Sequence, residues 1–203
     1  MVAFQNLPCK QYPDVRHEIR SGDILLCSGE YAFSKLVRKA TDSCWSHVAY
    51  VQRQADTDRL MVLESIECKG VRMIPLSEYV SNFEGSGMGY QGRLVVARHT
   101  EYEQKATPET LELMSRFAVD RLNCPYVEEE IARIFARIVG RFLGITQGEI
   151  ERGQEFICSE YLFECFWILG IDIDFDRRGF IAPADFARDD KVELLWELAV
   201  KQE

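Results

Sequence analysis

Three residues that lie far apart in the chain are of the types that together make a nucleophilic site: His47, Glu64 and Cys158. Cys158 falls in FICSEYLFECF (156–166), where an apolar stretch becomes a helical pattern. In the first turn of a helix, unpaired N–H groups and the dipole favour a thiolate over a thiol. His47 falls in SHVAYVQR (46–53), a strand-like run whose two-residue period places Trp45, His47, Ala49 and Val51 on one face. The same period in RLMVLESI (59–66) groups Leu60, Val62, Glu64 and Ile66. A carboxylate on such a core-like face is costly unless something pairs with it. If the two runs are neighbouring strands, ring and carboxylate come within hydrogen-bond reach. Each residue also has an ordinary reading: a core histidine bonded to a carbonyl, a strand-end glutamate turned to water, an inert buried cysteine. Taken together, the set supplies a nucleophile, a base to share its proton and an acid to hold the base.

The remaining cysteines and histidines offer less. Cys44 would project from the face opposite His47 if the strand already extended that far, and Cys165, two helical turns beyond Cys158, is explained by packing. Cys9, Cys27, Cys68 and Cys124 have no supporting context, and His17 and His99 stand in charged, loop-like sequence and are expected to be exposed.

The elements that must position these residues can be read from pattern. SGDILLC (21–27) enters a buried strand through a turn, and EYAFSKLVRKAT reads as a short helix or ordered loop. SHVAYVQR, RLMVLESI and KGVRMIP (69–75) form an antiparallel meander, with the short Cys68-Lys69-Gly70 connection making the second hairpin. A brief helical piece, PLSEYVSNF, and the glycine-rich loop GSGMGYQG lead into the strand GRLVVARH (92–99). Thr107-Pro108-Glu109 then opens a helix expected to run to about Leu122. A second helix over 126–143 carries Ile131, Ile134, Phe135, Ile138, Val139, Phe142 and Leu143 on one stripe, and Arg133, Arg137 and Arg141 on the other side. The Cys158 helix should stop at Gly170. IAPADFA (181–187) reads as a loop, and the state of 191–200 stays open between strand and helix. Strands come first and helices after, so the fold class is α+β, in one domain over 1–203 with a helical elaboration at about 107–145.

Composition sets the partners. A net charge of −9 and a pI near 5.0 argue against nucleic acid, which is tracked by a basic excess. The N-terminus shows no basic segment followed by an apolar run, and no stretch approaches 18 apolar residues, so a cytoplasmic location is expected. An odd count of seven scattered cysteines fits a reducing compartment. Cys44-x2-His47 alone approaches zinc-ligand spacing, so no metal site is expected.

With these residues assembled, the chain resembles the circularly permuted NlpC-type members of the papain-like superfamily, the YiiX/YebB-like cysteine hydrolases. The resemblance spans roughly residues 20 to 190 and rests on GDILL (22–26), the His47 strand SHVAYV, VLES with Glu64, the NCPY box ending in Tyr126, ICSEYL, and IAPADFA. It implies a central antiparallel sheet packed against the nucleophile helix, with Cys158 as nucleophile, His47 as general base and acid, and Glu64 as orienting residue. The order histidine, acid, cysteine is what permutation of a papain-like core gives, and geometry rather than chain order defines such a site. The resemblance further implies the Cys158 main-chain N–H as an oxyanion donor, substrate contacts at Ser159 and Tyr126, and no metal or organic cofactor. Where relatives often carry an acid after the Pro-Tyr pair, this chain has Val127.

The implied reaction is cysteine-dependent hydrolysis of an amide in a small peptide, of cell-wall or γ-glutamyl type, through a thioester. Two other readings stand beside it. One is a lipid-directed acyltransferase, thioesterase or amidase, with Met88 and the Arg133, Arg137, Arg141 row meeting a membrane; against this, Glu129 and Arg133 at i,i+4 make an ordinary solvated face. The other is a binding module that has lost turnover. Oligomeric state and the second oxyanion donor are not readable from the sequence.

Overall fold

A computed structural model of the chain describes residues 6–125, 157–175 and 181–202. Its frame is a seven-stranded sheet in the order β1-β7-β6-β2-β3-β4-β5. The strands are β1 (Cys9–Lys10), β2 (Asp23–Gly29), β3 (His47–Gln54), β4 (Arg59–Ile66), β5 (Gly70–Pro75), β6 (Gly92–His99) and β7 (Val192–Leu198). β2 to β5 form the expected meander, β6 returns to pair with the free side of β2, and β7 pairs antiparallel with β6. Only the two-residue β1 runs parallel to its neighbour, β7. The open question over 191–200 is thus resolved as strand.

Both faces of the sheet are covered, which is why β2 is buried along its whole length and reads as an apolar run. One face, with Ile24, Leu26, Val48, Tyr50, Leu63 and Val95, packs against helices α5 (Pro108–Asp120) and α6 (Cys158–Ile168). The other, with Leu25, Cys27, Ala49, Val51, Val62 and Val96, is covered by Val15 and Ile19 beside α1 (Tyr12–Val15), and by Leu76 and Tyr79 of α3 (Leu76–Ser81). Two further short helices, α2 (Ala32–Ala40) and α4 (Tyr102–Lys105), flank the sheet.

Helix ends follow their chemistry. Thr107 caps α5 by accepting from Thr110 N–H, and the helix ends at Asp120, close to the expected Leu122. At the end of α6, Gly170 adopts φ +77°, the Gly170 N–H bonds Trp167 O, and the Ile171 N–H bonds Phe166 O, a Schellman closure at the expected stop. IAPADFA departs from expectation: Pro183–Arg188 is a helix, α7, opened by a proline in its first turn and held where Asp185 Oδ2 accepts the Ala182 N–H at 2.8 Å. His99 departs too. It is 1 % exposed, because β6 is an interior strand and its last residue lies under Phe166. Trp45 packs on the face opposite to Ala49 and Val51, because β3 begins only at His47 and the strand period does not reach back to it. The expected helix over 126–143 lies outside the described residues.

Candidate active site

His47 is the first residue of β3, and Glu64 is the sixth of β4. Extending the Tyr50↔Leu63 register by one residue sets Glu64 opposite Ala49, so His47 is its diagonal neighbour on the same face. Side chains in that relation can touch, and His47 Nε2 lies 2.6 Å from Glu64 Oε2. Glu64 is completely buried, and a carboxylate there needs more than one partner. Arg72 sits directly opposite it in the β4–β5 register and donates from Nε to Oε1 at 2.7 Å. The hydroxyl of Tyr79, from α3, donates to Oε2. Burial raises the Glu64 pKa, but the hydrogen bond and charge of His47, the Arg72 guanidinium and the Tyr79 hydroxyl together hold it below the ordinary carboxylate value. Arg72 continues outward through Nη1 to Glu84 Oε1 at 2.6 Å, and Lys69 pairs with the same carboxylate.

The thiol comes from the other side of the sheet. α6 packs its Tyr161, Leu162, Cys165 and Phe166 against the face opposite His47, and its first residue, Cys158, reaches the cleft where the His47 ring is also exposed. The N-cap, Ile157, is extended at φ −79° and ψ 163°, so Cys158 occupies the first helical position, at the positive end of the helix dipole. With Nε2 engaged by Glu64, Nδ1 is the ring nitrogen left for the sulfur. Burial lowers the His47 pKa, yet the charge and hydrogen bond of Cys158 and those of Glu64 outweigh it, and the imidazole is raised from 6.5 to about 10. Cys158 is partly exposed. Cys27, facing His47 across β2 and β3, is fully buried; burial first, then the charges of Glu64 and Cys158, push its thiol well up. Two thiols therefore flank one ring, and only one of them has solvent access.

The cleft itself holds about 250 Å³. His47 and Cys158 lie in it together with Ser46 and Ser65, an aromatic group including Tyr31, Phe83 and Tyr90, and the charged rim of Glu67, Lys69 and Glu84.

Ser159 does not line this cleft. It is completely buried, and its Oγ donates to Ile181 O at 2.7 Å, because the second residue of α6 points into the body of the protein while the first points out. The substrate contact expected there is corrected to a tie between α6 and the segment leading into α7. Tyr126, Val127 and the arginines at 133, 137 and 141 lie outside the described residues. Sequence pattern does not single out Arg72 or Tyr79. The hairpin register fixed by the turn after Ile66 carries the signal for Arg72, since it sets residue 72 opposite residue 64. Tyr79 has no local signal, because only the fold-back of α3 onto the sheet brings it to Glu64.

Comparison with known proteins places the chain in a family and gives the fold a solved relative. A family model described as the permuted papain-like amidase enzyme, YaeF/YiiX, C92 family, matches residues 18–197. The chain belongs to this family. Its members are named amidases, so the fold is that of a papain-like hydrolase with a permuted chain. Among solved structures, that of the metalloprotein YiiX from Escherichia coli O157:H7 is similar at a TM-score of 0.58 and 16 % identity, covering 90 % of this chain and 97 % of that one. No curated protein matches the sequence. The description as a metalloprotein is that of YiiX. Here, among the described residues, no three His, Cys, Asp or Glu side chains gather as an ion would need, and His47 Nε2 is bonded to Glu64 Oε2. No described helix is long and apolar enough to cross a membrane.

Proposed function

We propose that the protein is a cysteine amidase acting on a small peptide amide through Cys158, His47 and Glu64. One observation carries the reading: a partly exposed thiol at a helix start shares its cleft with an imidazole whose far nitrogen is bonded at 2.6 Å to a buried carboxylate. The raised His47 basicity suits a ring that takes the proton of the sulfur as the sulfur attacks. The sulfur attacks the amide carbonyl, and the oxyanion that develops is met by the Cys158 N–H and the helix dipole. The carbonyl then re-forms as the C–N bond breaks; the leaving nitrogen takes its proton from His47, and a thioester remains on Cys158. Water attacks the thioester, gives one proton to His47, and releases the acid and the thiolate. Glu64 keeps the ring oriented and stabilises its positive form throughout, itself held by Arg72 and Tyr79.

The test is mass spectrometry of the intact protein with a panel of peptide amides and activated acyl esters. An acyl adduct on Cys158 that is absent in Cys158→Ala and slowed on the order of 100-fold or more in His47→Ala supports the reading. Equal modification of the exposed cysteines, unaffected by His47→Ala, sinks it and favours a module without turnover. The lipid-directed alternative rests on Met88, which does not line the described cleft, and on arginines outside the described residues.

A further inference from the structure

One wall of the cleft beside the proposed nucleophile is aromatic, with Tyr31, Phe33, Tyr79, Phe83 and Tyr90 among the lining residues. The rings of Tyr31, Tyr79, Phe83 and Tyr90 form one cluster: Tyr79 to Phe83 is 4.8 Å between centroids, Phe83 to Tyr90 5.0 Å, and Tyr31 to Tyr90 5.6 Å. Each tyrosine hydroxyl of the cluster has a hydrogen-bond partner in the protein. Tyr79 donates to Glu64, Tyr31 accepts from the Gln91 N–H at 3.3 Å, and Tyr90 is hydrogen-bonded to the Ser34 and Ser46 side chains. These bonds fix the rings and leave carbon faces and edges toward the cleft, the arrangement that favours an apolar or flat group over a polar one.

Charge points the same way. Lys69 is the one lysine or arginine among the described lining residues, and it is paired with Glu84, which also takes the Arg72 guanidinium. Glu67 is the lining acid outside that network. Away from the His47 ring itself, a substrate carboxylate would meet, among the described lining residues, the acid Glu67 and no cation without an acidic partner. The volume, about 250 Å³, lies just below the roughly 300–1,000 Å³ of pockets that hold drug-sized ligands. It suits an amide and one side chain, not a two-chain lipid.

We infer that Tyr31, Phe83 and Tyr90 form a specificity subsite that takes a neutral aromatic side chain on the acyl half of the amide. This rests on the cysteine amidase reading and names its substrate class. The acyl half is assigned because it stays on sulfur through both steps and profits from fixed walls, whereas the amine must leave and be replaced by water.

The experiment compares full-length protein on aminocoumarin amides of N-acetylated phenylalanine, alanine and γ-linked glutamate, and on the same phenylalanine acyl group with varied amines. The expected kcat/KM for phenylalanine exceeds that for alanine by about 10-fold or more, with the glutamate amide poorest. Phe83→Ala and Tyr31→Ala should bring the phenylalanine-to-alanine ratio down severalfold, and Phe83→Leu, which keeps an apolar filling if the alanine variant fails to fold, should lower it less. Equal rates, preference for the γ-linked glutamate, selectivity that follows the amine alone, or acylation of Cys158 from phosphatidylcholine vesicles in place of the amides overturns the subsite. If no amide acylates Cys158, the triad reading fails by itself. The subsite is then read in Cys158→Ala by NMR titration with N-acetylphenylalanine amide and N-acetylalanine amide: tighter binding of the former supports it, and equal binding overturns it.

Discussion

The chemistry of single residues turns on Glu64, a buried charge with three partners. Removing one leaves part of that charge uncompensated, so Arg72→Met should lose about 3 kcal/mol of unfolding free energy in denaturant titration and raise the Glu64 pKa. Because Glu64 is held below its ordinary value, its contribution to stability is present above the unfolded carboxylate pKa and lost as pH falls through the folded one. Arg72→Met should therefore unfold at a higher pH on acidification. His47 has the opposite sign. Raised from 6.5 to about 10, it favours the folded state fully below the unfolded value, and that favour is lost as pH rises through about 10. The same proton serves catalysis, so kcat/KM should keep its plateau into alkaline pH and fall near 10. Cys158→Ala removes the largest influence raising His47, and NMR titration of the ring should show a lower pKa in that variant. An unchanged titration would mean that the sulfur and ring do not interact.

At the scale of elements, what matters is how the segments that surround the site are tied to their neighbours. Ser159 makes one such tie, through a fully buried hydrogen bond to Ile181 O. Ser159→Ala should cost about 1–3 kcal/mol by thermal or denaturant unfolding, since the carbonyl is left unsatisfied. With α6 still seated, KM should not change, whereas a direct substrate contact would raise it. A second tie is strand-on-strand. Gly92 opens β6 opposite Gly29 at φ +149°, and an added Cβ would lie 2.1 Å from Ser28 O. Gly92→Ala thus strains the backbone and pushes on a main-chain atom of β2, the strand that neighbours His47, and it should lower the melting temperature by several degrees.

Over the whole molecule, the fold sorts seven cysteines by access, and this is a direct check of the architecture. Cys27, Cys44 and Cys165 are buried, whereas Cys9 and Cys68 are exposed and Cys124 and Cys158 are partly so. A small maleimide should label Cys9, Cys68, Cys124 and Cys158 in the native protein and reach Cys27, Cys44 and Cys165 only on unfolding; early labelling of Cys165 would contradict the packing of α6. Much of this plan was legible in the residue order. The meander was written in the two-residue alternation of SHVAYVQR and RLMVLESI, and the start and stop of α6 in the apolar onset at Cys158 and in Gly170, because these are local preferences of backbone and side chain. The pairing of His47 with Glu64 also followed from alternation once the two strands were taken as neighbours. What tertiary structure alone decided was everything that depends on elements distant in sequence. It set the Tyr79 hydroxyl and the Arg72 guanidinium on Glu64, turned Ser159 inward one residue after Cys158, buried His99 beneath Phe166, and made strand of 192–198 by pairing it with β6. The reason is physical: a short segment's own preferences fix its period and its caps, but which partner satisfies a buried charge is settled only when two covered sheet faces bring separate segments together.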